Sequence, residues 1–511
     1  MTFYKRLSLY FLLCLVPFIY RLDWNGSRVF VASDPEIKYY QINNLVEGNS
    51  PASCYFSAKT FGFSNEKIPI GYPWAFHLKD GSCVFQYPIL FSYIQFPFVV
   101  LFGKICITFI PILFFFLCAL LLDLIFQNFE LSNFRILSFV VVIQFFTPIF
   151  LSSLDYSELT LTNFFFLFSV FSFYKYQQTG HKTFGFILAM SLSINFQLRP
   201  ESTIAFVFFL AVYFVFYKDK VSFFQKSIFP LLILVIFFVF FSILNYKLYG
   251  HVLGMRGLNT MTDMATGNPR KLDVEWIADL WGNEFKIGIF KGYPILFLSL
   301  LSVLFFRNRK IEPMLVAGFV FILLLPVLSP YRAGVDIFGM RYYESGIYLL
   351  MIGGGVMIPR SFSFNWILII ILPFLYFSYK SDTRAIKIWS SQSKLYHSVL
   401  DVVDQINPDI IVHRGLSLSY LIGDSYLKYP QIAVYSNEDW LSVEDKLVGK
   451  KMKILYLEWE GNQLVNDEFP KHIWESRFDI NFNLVPSKFK ETKAFKVVHF
   501  SAKLLEETKR K

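Results

Sequence analysis

Charge is what this chain has least of. Asp, Glu, Lys and Arg supply 17% of its 511 residues, against about 25% in an average soluble domain, and they cluster. The phosphate-cradling run G-x-x-x-x-G-K-[ST] is absent, as is G-x-G-x-x-G, which removes the P-loop and dinucleotide-fold readings. No Cys/His spacing suits a metal, and no internal repeat suggests a solenoid. Cysteine is scarce too, at five residues. Cys14, Cys106 and Cys118 lie in apolar segments, while Cys54 and Cys83 share the first large loop. Those two pair if the loop faces an oxidising compartment and stay free thiols if it does not.

What the chain does have is hydrocarbon. Hydrophobic residues make up 55%, aromatics 20%, and Phe alone 63 positions. Apolar stretches of roughly 14–20 residues recur between short polar connectors, and about 20 residues cross a bilayer core. About eleven spans are expected, near 5–21, 105–127, 136–152, 159–175, 183–198, 202–217, 227–246, 293–306, 313–329, 343–358 and 364–380. The run Pro88–Gly103 carries two prolines and reads as a juxtamembrane or re-entrant element. The first segment, Leu7–Tyr20, follows Lys5-Arg6, but no small-residue cleavage site follows it, so it reads as a retained anchor.

Basic residues fall on every second connector, at Lys5-Arg6, Arg135, Lys175 with Lys182, Lys218 to Lys226, Arg307 to Lys310 and Arg360. Placing these inside makes the N-terminus cytoplasmic. The net charge of +10 is thereby assigned to topology and to a basic C-terminal region, with no nucleic acid implied. The outer face then receives the 23–104 loop, Ser153–Glu158, Arg199-Pro200-Glu201, the 247–292 loop, Ser329–Tyr342 and everything after the last span. From about Ser381 the composition turns polar, and short apolar strings at Asp409–Val412 and Lys453–Leu457 alternate with helix-like stretches near 390–405 and 439–448. The fold class expected is an α-helical polytopic membrane protein with a small C-terminal α/β domain outside the membrane.

Four polar sites fall on that outer face. Asp34 and Glu36, in Ser33-Asp34-Pro35-Glu36-Ile37, open the first long loop. On an extended backbone, side chains two apart point the same way, so one carboxylate takes a proton while the other orients it or binds a cation. Asp-Pro is equally a plain turn initiator. Asp155 and Glu158 sit in the next outer connector, where acids beside hydrocarbon usually face a cavity or a partner. Arg199-Pro200-Glu201 sets a guanidinium suited to a phosphate between two apolar runs, unless Arg and Glu merely neutralise each other. Arg341 and Tyr342 precede a late span, where snorkelling and an aromatic belt are the plain alternatives.

In this order the motifs resemble the GT-C superfamily of membrane glycosyltransferases. Asp34-Pro35-Glu36 matches its acidic pair after the first span. Tyr87-Pro88-Ile89 through Leu101-Phe102-Gly103 is similar to its proline-rich phrase, with one proline at 87–89 where many members have two. Tyr156-Ser157-Glu158, Arg199-Pro200-Glu201 and the stretch from Tyr331-Arg332-Ala333-Gly334 to Gly339-Met340-Arg341-Tyr342 complete the set. The likeness covers about residues 1–360, and the C-terminal region carries no oligosaccharyltransferase recognition motif.

The resemblance implies a bacterial inner-membrane enzyme with a cytoplasmic N-terminus. Residues 1–380 would form the catalytic membrane domain, including a 23–104 periplasmic loop with juxtamembrane helices, and 381–511 a periplasmic α/β domain. It implies sugar transfer, with inversion, from a polyprenyl-phosphate donor to a glycan, lipid or protein acceptor. Asp34 and Glu36 would be catalytic; Asp155, Glu158, Arg199, Glu201, Arg341 and Tyr342 would bind substrate. Some members hold a divalent cation, Mg or Mn, at the acidic pair, and others need none. The competing readings are a transporter or lipid flippase, an O-antigen polymerase or ligase, and a non-catalytic scaffold.

Overall fold

A computed structural model describes residues 2–25, 33–54, 57–64, 68–70, 74–78, 81–255, 257, 280–282, 288–305, 312–328, 341–358, 364–414, 425–447, 450, 452–459, 474–483 and 499–507. Beside a few short helical turns, the helices are α1 (Phe3–Leu13), α2 (Leu15–Asn25), α3 (Ser33–Val46), α4 (Ile89–Phe102), α5 (Cys106–Asn128), α6 (Asn133–Phe145) and α7 (Leu159–Thr179). There follow α8 (Lys182–Leu198), α9 (Pro200–Phe216), α10 (Lys220–Tyr249), α11 (Ile295–Phe305), α12 (Pro313–Leu328), α13 (Glu344–Met357), α14 (Phe364–Ile406) and α15 (Asn437–Leu447).

The chain forms two compact units, one of Met1–Asp23 with Leu101–Lys387 and one of Trp24–Val100 with Ile388–Lys511. Sequence composition placed the first loop with the membrane domain and put the division near 380. In the structure that loop shares a hydrophobic core with the C-terminal region.

Among the described residues three apolar stretches of helix are long enough to cross a bilayer: Phe3–Arg21 and Lys220–Tyr249 in the first unit, and Ile89–Asn128, whose first 12 residues belong to the second. Shorter apolar helices cover Asn133–Phe145, Pro200–Phe216 and Pro313–Pro326. This measure does not reach the shorter spans among the eleven expected. α8, for example, ends after 17 residues at the break before Pro200. The Pro88–Gly103 element does not stand apart either, since α4 runs through a turn at Gly103–Ile105 into α5. On α10, Leu231, Leu232, Val235, Ile236, Val239, Phe240 and Ile243 are all exposed. A face of that composition suits lipid, because in water it would be an aggregation surface.

The interior of this unit is tied at two places. Arg6 donates to Asp123 through Nε (2.6 Å) and Nη2 (3.0 Å), Tyr10 donates to the same carboxylate at 2.7 Å, and Gln127 adds a further donor. All this lies in the bundle with Arg6 and Asp123 buried, which fastens α1 to α5. Elsewhere α12 and α13 touch backbone to backbone. A Cβ on Gly318 would come within 2.4 Å of Leu350 N, and one on Gly353 within 2.3 Å of Leu315 N. Only glycine permits that approach, and it sets α13, buried along nearly its whole length, at the centre of the bundle.

The second unit is built on a five-stranded sheet of order β4-β3-β5-β7-β6. β3 (Ile410–Arg414) pairs in parallel with both β4 (Gln431–Val434) and β5 (Ile454–Trp459). β7 (His499–Glu507) lies antiparallel between β5 and β6 (Trp474–Asn483). Ile410, Val412, Ile432, Val434, Ile454 and Tyr456 share one core with Trp440, Val443 and Leu447 of α15 and with Ile37, Tyr40, Phe63, Phe85 and Tyr87 of the first loop. That loop is closed by a hairpin, β1 (Ala75–His77) against β2 (Cys83–Phe85), and by a Cys54–Cys83 disulfide.

Two outcomes follow. Replacing Cys54 and Cys83 by Ser should lower stability by about 3 kcal/mol for a closed loop of this size, read as a fall in the thermal midpoint in detergent. Non-reducing peptide mapping should recover Cys54 linked to Cys83. On β3, His413 is fully buried with Nε2 2.8 Å from Gln431 Oε1, and burial lowers its pKa from 6.5 to about 4. The unfolded chain therefore takes up a proton that the folded chain refuses. This contribution to stability is complete above pH 6.5 and lost as pH falls toward 4, amounting to about 3 kcal/mol. Thermal midpoints between pH 7 and 4.5 should fall more steeply in wild type than in His413→Asn.

Candidate functional site

The break between α8 and α9 is dictated by Pro200, which disfavours helix at the residue before it. Arg199 is accordingly extended, at φ −152° and ψ 98°, with Pro200 starting the next helix. The side chain thrown out at this break is 2% exposed. Its Nε donates to Glu201 Oε1 at 2.6 Å, and its guanidinium carbon lies 4.9 Å from the Tyr342 ring centroid. Among the described residues Arg199 Nη2 is buried and meets no hydrogen-bond acceptor. Such a donor calls for one.

Tyr342 carries a second cation. The Arg341 guanidinium lies 5.2 Å from the same ring centroid, and its Nη2 donates to the Tyr342 hydroxyl at 3.4 Å. Immediately beyond, α13 begins with Glu344 and Ser345. Glu344 accepts from Asn163 of α7, and Ser345 Oγ donates to Ser202 Oγ of α9 at 2.9 Å. Arg199, Asp155 and Arg341 all lie within electrostatic reach of Glu344. Thus α7, α9 and the head of α13 converge on one polar centre in an otherwise apolar unit.

Asp155 and Glu158 occupy the turn before α7, expected at the mouth of a hairpin. Every residue from Phe150 to Leu159 is instead buried. Behind this turn Arg21, 1% exposed, donates from Nη1 to Leu154 O (2.6 Å) and from Nη2 to Ile107 O (3.4 Å), with Asp155 in electrostatic range. Arg199, Glu201, Arg341 and Tyr342 are therefore in direct contact, with Asp155 nearby.

The residues that sequence reasoning passed over here are Glu344, Asn163, Ser202, Ser345 and Arg21. Glu344 had a signal, since an acid at the head of a glycine-rich apolar run is costly unless it is used. The other four looked like ordinary polar residues of helices. Tyr331–Gly334 and Gly339-Met340, also part of the late motif, lie outside the described residues.

Asp34 and Glu36 belong to the second unit, and their backbone is not extended. They occupy the second and fourth positions of α3, with Pro35 between them, in the first turn where proline fits and acids complement the helix dipole. The backbone that carries them is helical where an extended one was expected. Glu36 is buried. Among the described residues no group of three or more His, Cys, Asp or Glu is placed to hold a metal ion.

No family model and no curated protein sequence matches the chain. Two solved structures share its fold. One solved structure that shares it is ArnT from Cupriavidus metallidurans bound to undecaprenyl phosphate, at 10% identity and a TM-score of 0.58 over 98% of both chains. A second is the archaeal oligosaccharyltransferase AglB from Archaeoglobus fulgidus, in complex with an inhibitory peptide and a dolichol-phosphate. It is 12% identical, with a TM-score of 0.53 over 89% of this chain and 69% of its own. At these identities the likeness is one of fold.

If Arg199 Nη2 awaits an oxyanion, Arg199→Ala should weaken binding of inorganic phosphate by about 10- to 100-fold, the worth of a hydrogen bond to a charged group. Arg199→Lys should not restore it, because an ammonium cannot stack on Tyr342 and fork to an anion at once. Binding in detergent by microscale thermophoresis reads both.

Proposed function

We propose that the chain is a membrane glycosyltransferase that moves a sugar from a polyprenyl-phosphate donor to an acceptor on the periplasmic face of a bacterial inner membrane. The observation that carries this reading is the buried, unpartnered Nη2 of Arg199, stacked with Arg341 on Tyr342. It is a site made for an oxyanion within a bundle whose outer face suits lipid. The shared fold adds weight, since both solved neighbours were captured with a polyprenyl phosphate. The Cys54–Cys83 disulfide supports placing the first loop in an oxidising compartment, with the N-terminus cytoplasmic.

In the proposed reaction an acceptor hydroxyl attacks the anomeric carbon. Its proton passes to Asp34 or Glu36 as general base. The bond from the anomeric carbon to the phosphate oxygen breaks, and the electron pair leaves with polyprenyl phosphate. The charge growing on that phosphate is met by Arg199 and Arg341. Attack from the face opposite the leaving group inverts the anomeric centre. Glu201 pairs with Arg199 and holds its guanidinium against Tyr342. Asp155 and Glu158 accept from sugar hydroxyls in this reading. The acceptor is a glycan, lipid or protein hydroxyl, and a hexosyl or pentosyl unit is transferred.

Purified protein supplied with a panel of radiolabelled polyprenyl-phosphate sugars should release polyprenyl phosphate. Asp34→Asn or Glu36→Gln should lower the rate by about 10²- to 10⁴-fold, the usual worth of a positioned base, with the fold intact by circular dichroism. Unchanged turnover with EDTA places the chemistry on side chains alone, and loss of turnover places a cation in it. Well-folded protein that turns over no donor would favour the transporter or flippase reading.

A further inference from the structure

The C-terminal sheet has so far only a place in the fold. Its core, however, is shared with the helix that carries Asp34 and Glu36. From α3, Ile37 and Tyr40 enter the cluster of Ile410, Val412, Ile432, Val434 and Tyr456. Tyr40 stacks on Tyr426, the two rings 4.8 Å apart at 32°, and both residues are 2% exposed. Tyr426 stands on the short helical turn Ser425–Lys428, which leads into β4. Aromatic pairs add about 0.5–1.5 kcal/mol beyond the area they bury, and this one is a direct ring contact from the C-terminal sequence to α3.

The remaining sides of α3 are held by the first loop. Gln41, fully buried, donates to Pro51 O and Tyr87 O, both at 3.1 Å. Asn44 donates to Ser53 O at 2.6 Å and to Ser50 O at 3.3 Å. Lys38, 1% exposed, sets its Nζ 4.8 Å from the Tyr87 ring centroid. The stretch that receives these bonds is itself locked, with Cys54 N donating to Cys83 O and Phe85 N to Ala52 O beside the disulfide. α3 is thus held by two clamps, a polar one from its own loop and an apolar one from a sheet that begins almost 400 residues later.

We infer that the C-terminal sheet is the positioning platform of the acidic helix, and that Tyr426, through its stack on Tyr40, is a positioning residue for transfer. This rests on the glycosyltransferase reading for its kinetic consequence but not for its structural one. A platform of this kind acts on the reaction rate without touching the donor. Its removal lets the first turn of α3 drift, and a displacement of about 1 Å at a reacting group lowers the rate by as much as about 100-fold.

Full-length protein in detergent tests it by hydrogen exchange across residues 33–46 and by steady-state kinetics, in wild type, Tyr426→Ala, Tyr426→Phe and Ile411→Ala. Ile411 is fully buried on β3 yet stands outside the core cluster that receives α3, so its truncation destabilises the sheet without unseating the helix. The expected result is faster exchange across 33–46 in Tyr426→Ala alone. kcat should be lowered about 10- to 100-fold and KM for the donor held within about twofold. Tyr426→Phe, which keeps the stack, should restore both. If Tyr426→Ala does not fold, Tyr426→Leu takes its place in the same comparison. Unchanged exchange in the truncated variant, or equal acceleration in Ile411→Ala, overturns the inference. So does wild-type kcat in Tyr426→Ala. Faster exchange in a protein whose wild type turns over no donor would sink the glycosyltransferase reading and leave the platform standing.

Discussion

A guanidinium sealed inside an apolar bundle must be answered by something, because leaving a buried charge unmatched costs several kcal/mol. Three of the buried arginines of the first unit show how differently this is done. Arg6 meets a full carboxylate in Asp123, further held by Tyr10 and Gln127, and its work is finished in the folded chain. Arg21 spends its terminal nitrogens on the carbonyls of Leu154 and Ile107, and so fixes the turn that presents Asp155. Arg199 is answered on one side by Glu201 and across its face by Tyr342, and its Nη2 is left over. The same chemistry yields a fastener, a brace and a receptor: Arg21 leaves over its inner Nε, and Arg199 a terminal nitrogen, Nη2.

Much of that centre is visible in the sequence, because its signals are local. A charged residue before a proline, between two apolar runs, announces both the helix break and a donor turned out of the helix. An Arg-Tyr pair at the head of a span is legible for the same reason. The acidic helix was misread despite an equally local signal. Ser-Asp-Pro-Glu is as good a helix start as it is a turn, and the sequence around it does not say which. Glu344 with Asn163, and Ser345 with Ser202, join residues more than 140 positions apart, and no periodicity encodes a pairing of that separation. The break at Arg199-Pro200 was legible from its local signal: the spans expected at 183–198 and 202–217 are helices Lys182–Leu198 and Pro200–Phe216.

The second unit shows most clearly where composition misleads. The first loop is polar and aromatic beside a Phe-rich bundle, and it looks like an appendage of that bundle. Its buried residues Ile37, Tyr40, Phe63, Phe85 and Tyr87 find their partners in strands and a helix from the far end of the chain. Alternation alone marks such residues as buried in something, without naming the something.

That division of one core between the two ends of the chain governs the order in which the protein is made. When residues 24–100 leave the ribosome, the strands that cover them are more than 300 residues from being synthesised. The early segment can close its 29-residue disulfide loop and little else. It must then wait, with Tyr40 and Phe85 uncovered, through the insertion of the whole bundle. Segments left open in this way are where chaperones bind and where aggregation starts. The oxidised loop shortens that exposure by holding its own residues together until the sheet arrives, which makes the cysteine pair an assembly aid before it is a structural tie.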